Sequence, residues 1–342
     1  MTNQIGNFFS LLSGAQIARI RGKPSYHFME KTFTPHYESH ILPDVQVFEL
    51  NRMRALRECR SRAWISIILG PIVIAATIFL AFKYMNKVDD LPFFIIFITI
   101  GGLGAWATRP VKKYKSSVKA KVFPKVFSFF GPEYRYSETG QMTVGSLQSS
   151  GIIPKHDNSY TEDYVKGIHK DVTIEFTEAK MTETRGSGKR RRTVTVFKGM
   201  FILLSMNKNF KGQTIVKRDS GMIGNWFTDK FNKLENVRLE DPVFEKQFQV
   251  YSNDQIEARY LLTTSFMERV LDLSRRFGDQ GVQFSFYNNK LLLMVSSQKN
   301  WFETSSIFVP ATFVNDINDI ILQMRTLFKI IEVLKLEERT GI

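Results

Sequence analysis

The rhythm of apolar and polar positions changes three times along this chain. From Pro43 onward, Val47, Leu50, Met53 and Leu56 recur at helical spacing, one face of a helix. Polar residues then disappear. "AWISIILGPIVIAATIFLAF", Ala63 to Phe82, is 20 residues without a charge, roughly the 30 Å thickness of a hydrocarbon core when helical. "LPFFIIFITIGGLGAWAT", Leu91 to Thr108, supplies 18 more. Only "KYMNKVDD", Lys83 to Asp90, lies between them, enough to turn the chain but not to cross a bilayer again. The pattern predicts an antiparallel transmembrane hairpin; the blander alternative is a pair of helices buried in a soluble core. Beyond it, Val111, Tyr114, Val118, Val122, Val126 and Phe129 resume helical steps, with Pro124 predicting a break or kink. Gly70-Pro71 predicts a local bend in the first span.

From about Arg135 the period shortens to two. Val172, Ile174 and Phe176 share one face of a strand, and Val194 and Val196 lead into a dense apolar run ending at Leu204. These two strands flank "TRGSGKRRR", which makes that stretch a hairpin tip. "GQTIVKRD" is a further short strand. "TTSFMERVLDLSRRFG" reads as a helix with Ser265 as N-cap, Glu268 completing a capping box, Phe266, Val270, Leu273 and Phe277 as its stripe, and Gly278 ending it. Val282, Phe284 and Phe286, a turn at Asn288-Asn289 and a return strand form another hairpin. A last helix buries Ile317, Ile320, Ile321, Met324, Leu327, Phe328, Ile331 and Leu334. Helices packed on antiparallel strands define an α+β domain. The expected organisation is a flexible segment over 1–25, a membrane-proximal helical region over 26–62, spans over 63–82 and 91–108 joined by a non-cytoplasmic loop over 83–90, a basic membrane-proximal helix over 109–131, and a cytoplasmic α+β domain over 132–342.

Charge sets the orientation. The chain carries 47 Lys+Arg against 33 Asp+Glu, a formal +14. Residues 1–120 hold 16 of those cations and 7 of the acids, so +9 lies in the third that contains the apolar segments. Arg52, Arg54, Arg57, Arg60 and Arg62 precede the first segment, and Arg109, Lys112, Lys113, Lys115, Lys119 and Lys121 follow the second. The connecting loop balances Lys83 and Lys87 against Asp89 and Asp90. Positive flanks stay on the cytoplasmic side, so both termini are expected there. The same cations, Lys112 and Lys113 among them, can meet anionic headgroups. Neither span contains an ionisable residue, which favours an anchor over a transporter. Gly101 and Ala105 form a small-xxx-small pair suited to helix packing, either against the first span or between copies.

Candidate chemistry is thin. A single cysteine, Cys59, excludes an internal disulfide framework and any multi-cysteine metal cage. The tip resembles a phosphate loop only superficially: Gly188-Lys189 is followed by Arg190, no glycine stands five residues before Gly188, and a strand follows. Arg185, Lys189, Arg190, Arg191 and Arg192 therefore read as a solvated turn or as a contact for anionic lipid or an acidic partner. Nucleic acid is not expected, because no aromatics are interleaved for stacking. "SGMIGNWFTDKF" places Ile223, Trp226 and Phe227 in a connection, tucked over the core or forming an apolar contact loop. His36 and His40 stand four apart without an H-E-x-x-H motif. Glu240, Asp241, Glu245, Asp254 and Glu257 sit at apparent helix starts, where negative charge caps. No catalytic, metal or cofactor residues are assigned.

"VFKGMFILLSMNKNFKGQTIV", "LEDPVFEKQFQVYSNDQIEARYLLTTSFMERVLDL" and "FSFYNNKLLLMV", following the charged helix, hairpin and basic exit, resemble an uncharacterised family of bacterial two-span membrane proteins. The similarity covers about residues 30–310 and is most specific from Val237 to Leu273. It implies a bacterial cytoplasmic (inner) membrane and carries over no catalytic residue. The leading expectation is a non-enzymatic, membrane-anchored module that binds a protein partner or itself. An enzyme of unknown reaction and a sensor of anionic lipid or envelope stress are the alternatives.

Overall fold

The structure, a computed structural model, describes residues 26–84, 91–206, 209–218, 234–277 and 281–336. The N-terminal segment over 1–25, most of the 83–90 loop and the Ile223, Trp226 and Phe227 connection lie outside the described residues. The chain divides into two compact units, residues 1–125 with 304–318, and residues 126–303 with 319–342.

In the first unit, α1 (Phe33–His40) leads into α2 (Leu42–Tyr84), a single helix of 43 residues and about 65 Å. The proximal stretch and the apolar stretch that the pattern separates are thus one continuous helix, and it runs on through Pro71. α3 (Leu91–Lys121) returns over 31 residues, through Pro110. It stops at Lys121, and α4 (Phe123–Phe127) restarts around Pro124, whose ring disfavours helical geometry in the residue before it. Ala63 of α2 and Ala107 of α3 are both buried, a Cβ on Gly70 would meet Leu103 of α3 at 3.6 Å, and the Arg62 guanidinium lies 5.2 Å over the Trp106 ring. Both helices are long and apolar enough to cross a membrane. Only 6% and 11% of their most apolar stretches are buried, leaving Ile68, Ile72, Phe79, Phe93, Phe97 and Ile98 exposed.

Arg52 departs from the expectation that it is a flanking surface cation. It is fully buried, and its guanidinium forks onto Glu49 at 2.6 and 2.8 Å. Nη1 donates to the carbonyl of Ile307 at 2.8 Å, and Glu49 Oε2 accepts from the backbone N–H of Ala311 at 3.0 Å. The Tyr37 hydroxyl donates to the Thr312 carbonyl at 3.0 Å, and Phe48 meets Phe313 edge-on at 5.4 Å. A bidentate pair with its remaining donors satisfied is the form in which a buried charge is tolerable. The segment 304–318 is therefore built into the helical unit.

The second unit is a nine-stranded sheet of β1 (Arg135–Thr139), β2 (Asn158–His169), β3 (Val172–Arg185), β4 (Arg192–Ser205), β5 (Thr214–Arg218), β6 (Glu235–Asn236), β7 (Phe248–Ser252), β8 (Val282–Tyr287) and β9 (Lys290–Ser296). The order is β1-β2-β3-β4-β9-β8-β5-β7-β6, antiparallel throughout. Helices α5 (Pro242–Glu245), α6 (Gln255–Leu261), α7 (Thr264–Phe277) and the part of α8 (Val314–Leu334) from Asp319 on complete it. Period-two alternation gives the sheet two apolar faces. Ala179, Met181, Phe201, Leu203, Leu292 and Met294 form one core with Met142, Val144, Leu147 and Ile152 from the β1–β2 connection. On the other face Phe266 of α7 meets the rings of Phe284 and Phe286 at 6.3 and 5.8 Å, and Phe328 of α8 stacks on His169 at 4.1 Å.

Local chemistry sets the turns. Asn288 and Asn289 both have positive φ, 50° and 57°, and close the β8–β9 hairpin with the two-residue turn that strand twist favours. The cap of α7 is not Ser265: the Thr263 hydroxyl, two residues earlier, accepts the Phe266 N–H at 3.3 Å, so the helix starts at Thr264. Asp241 and Asp254 cap α5 and α6, each accepting two backbone N–H groups. Gly199 lets β4 approach β9: a Cβ there would sit 2.1 Å from the Val295 carbonyl oxygen.

Candidate functional site

The β2–β3 ladder places Glu162 opposite Glu178, like charges face to face, a pairing that costs stability. Next to it the register slips between Glu162 and Val165, and Asp163 takes φ 54° at the irregularity. The bulge turns Asp163 inward, where it is fully buried and accepts a hydrogen bond from the Tyr136 hydroxyl of β1. Thr177 ties the bulge down by donating to the Glu162 carbonyl at 2.8 Å. Glu178 is 4% exposed, and one of its oxygens accepts the Trp301 N–H at 2.8 Å. One carboxylate oxygen from each of the three acids lies within 4.8 Å of the others.

Burial pushes the Glu178 carboxyl up to about 7; the Trp301 N–H opposes this, the charges of Glu162 and Asp163 add to it, and Lys198 opposes it. The Tyr136 hydroxyl is also raised, by burial first and then by Asp163. Chemically the knot can store a proton at neutral pH or, once ionised, offer oxygens to one side of a hard cation's shell. The acids the sequence singles out lie elsewhere. Glu257 accepts the N–H groups of Lys211 and Gly212 at 2.8 and 2.6 Å, and Glu245 accepts that of Leu239 at 2.7 Å. The legible hint of the knot was the adjacent pair Glu162-Asp163 inside a strand pattern.

The basic stretch is the tip of the β3–β4 hairpin, with Arg185 opposite Arg192. Arg185, Arg190, Arg191 and Arg192 are exposed, and Arg185 is neutralised by Glu183 at 2.7 Å. Gly186 and Gly188, φ 83° and 56°, make the turn. Lys112 and Lys113 are exposed on α3. Gly101 and Ala105 are exposed too, and nothing lies within 4 Å of a Cβ on Gly101, so the hairpin closes along another line. His36 and His40 stack at 4.4 Å, with His36 Nε2 2.6 Å from the Lys125 carbonyl. Burial holds the His36 imidazole below its usual range.

The class these features define is an α+β domain with a nine-stranded antiparallel sheet, preceded by two long apolar helices. Within it, residues 195–336, from β4 to the end of α8, match a family described as a protein of unknown function (DUF3137). No curated protein matches the chain. Among solved structures, the mycobacterial trehalose monomycolate transport factor A is similar at TM-score 0.32 and 9% identity, over 58% of this chain and 88% of that one. A likeness at that level carries no argument about fold or activity.

Proposed function

We propose that this chain is a two-span protein of a cytoplasmic membrane whose α+β domain lies on the side of its basic flanks and acts by binding a protein partner. The observation that carries the anchoring is the exposure of the apolar stretches of α2 and α3. A core helix of a soluble protein has the same length and composition but is mostly buried, whereas 6% and 11% of these stretches are. Leaving that surface in water is costly at about 25 cal/mol per Å². A collar of cations supports the orientation. Arg54, Arg57, Arg60, Arg109, Lys112 and Lys113 are exposed just beyond the apolar stretches, and none has an ion pair among the described residues. Trp64 and Trp106, both partly exposed, mark the same level.

The binding role rests on spans without ionisable groups and on a domain in which Asp241 and Asp254 serve as helix caps and Glu162, Asp163 and Glu178 form a knot in which Asp163 and Glu178 are buried. Two measurements test the two halves. Alkaline extraction of native membranes should leave the protein in the pellet, with a reporter in the 83–90 loop on the opposite side from one at either terminus. Release into the supernatant would end the anchoring reading. Purification in mild detergent should retain a partner in defined stoichiometry; a clean monomer would end the binding reading.

A further inference from the structure

β9 runs beside β4 only from Gly199 to Ser205. Past Ser296 the chain leaves that lane: the Ser297 N–H bonds the Lys198 carbonyl at 2.9 Å, and the next residues turn so that the Trp301 N–H reaches Glu178. The N-terminal half of β4 continues for another seven residues, Arg192 to Lys198, paired with β3 on one side only among the described residues. Thr193 and Thr195 are exposed along it. A bulge between Thr195 and Phe197 interrupts regular pairing there, so the open lane is Arg192–Thr195 and the tip beyond. Such an edge offers unpaired backbone N–H and C=O groups to another strand.

Charge decides what can fill it. β4 has no acidic residue, its N-terminus is flanked by Arg190, Arg191 and Arg192, and Lys198 closes the other end of the lane. Of the tip cations, Arg185 is taken by Glu183, and Arg191 has Asp157 in its neighbourhood. Arg190 and Arg192 carry no ion pair among the described residues. If two copies paired antiparallel along this lane, the basic tip of each would lie against Lys198 of the other. Like charges directly opposed disfavour that assembly. The same cations favour an acidic strand.

We propose that the open half of β4 is a docking edge for an extended acidic segment of a partner protein, which would add as a strand in the lane that β9 vacates. This deepens the protein-binding reading above and rests on it. Backbone bonds to Arg192–Thr195 would supply the geometry, and acidic side chains opposite Arg192 and the tip would supply the selection. A short, end-capped peptide of alternating Glu and Val is the probe, titrated by fluorescence anisotropy onto the full-length protein in detergent micelles. Binding is expected, weakening as salt rises. Reversing the tip with Arg190→Glu, Arg191→Glu and Arg192→Glu should weaken it about tenfold or more. The same peptide N-methylated at alternate residues keeps its charge but cannot add as a strand, and it should lose binding to the unaltered protein. Equal binding of the methylated peptide would reduce the effect to charge alone and overturn the edge proposal. No binding of the unmethylated peptide would overturn it as well. A defined native complex recovered alongside either negative result would leave partner binding standing and remove only this edge.

Discussion

The carboxyl of Glu178 provides a direct test of the acidic knot. Its value in the folded chain is about 7 against an ordinary 4.5. The folded state therefore holds this proton more tightly than the unfolded one. Below pH 4.5 the group is protonated in both states and costs nothing. As pH rises from 4.5 through 7, the unfolded chain ionises freely while the folded chain must ionise a buried group, so stability falls and then levels off. A shift of about 2.5 units corresponds to roughly 3 kcal/mol, most of it appearing between pH 5 and 7. Glu178→Gln removes the charge and keeps an acceptor for the Trp301 N–H, so it should match the parent near pH 4.5 and exceed it above pH 7. For a domain of this size that gain is about 5 to 10 °C in melting temperature. Thermal unfolding of full-length protein in micelles, followed by near-ultraviolet circular dichroism across this range, reads it out. Parallel pH curves for the parent and Glu178→Gln would refute the reasoning. A variant less stable than the parent at pH 8 would show that the ionised carboxylate has a compensating partner, such as a bound cation.

Glu49→Ala strands the Arg52 guanidinium in a buried site and should cost about 3 kcal/mol or more, seen as a lower melting temperature and faster proteolysis of residues 304–318. Replacing both partners, Glu49→Leu with Arg52→Met, should recover much of that loss. Gly199→Ala would press a Cβ to 2.1 Å from the Val295 carbonyl oxygen; a loss of roughly 3 kcal/mol is expected by thermal unfolding, because backbone cannot swing aside as a side chain can. Asn289→Ala should cost about 1–2 kcal/mol, since it forces alanine to φ 57° and removes the side-chain acceptor that the Phe210 N–H uses at 3.0 Å. Asn288→Ala, at φ 50° and with no such side-chain bond among the described residues, should cost less in the same assay.

Local patterns in the sequence carried the elements well. Val172, Ile174 and Phe176 alternate because β3 packs against the core, and all three are buried. The pair Asn288-Asn289 marked its turn because few other residues accept positive φ twice in succession. Even the misplaced cap of α7 is a local error, since Thr263 and Ser265 both carry a hydroxyl and only the Phe266 N–H chooses between them. What stayed hidden depends on register or on distance along the chain. Arg52 looks like its neighbours Arg54 and Arg57 until residues 304–313 cover it. The acidic knot needs a bulge at Asp163 and a neighbouring strand to bring Glu178 to Glu162. The open half of β4 appears only once β9 is seen to stop at Ser296.

The contact between Arg52 and Ile307 closes a loop of 255 residues. A ribosome adding about 5–20 residues each second would need some tens of seconds to make that stretch. During that interval the first helices exist without the segment that covers them, and Arg52 has Glu49 but not the Ile307 carbonyl. The helical unit thus waits for residues 304–318, made long after its helices, to be completed. Its final packing requires that translation has passed residue 313, so a chain stopped short of that point leaves Arg52, Tyr37 and Phe48 without the contacts that cover them.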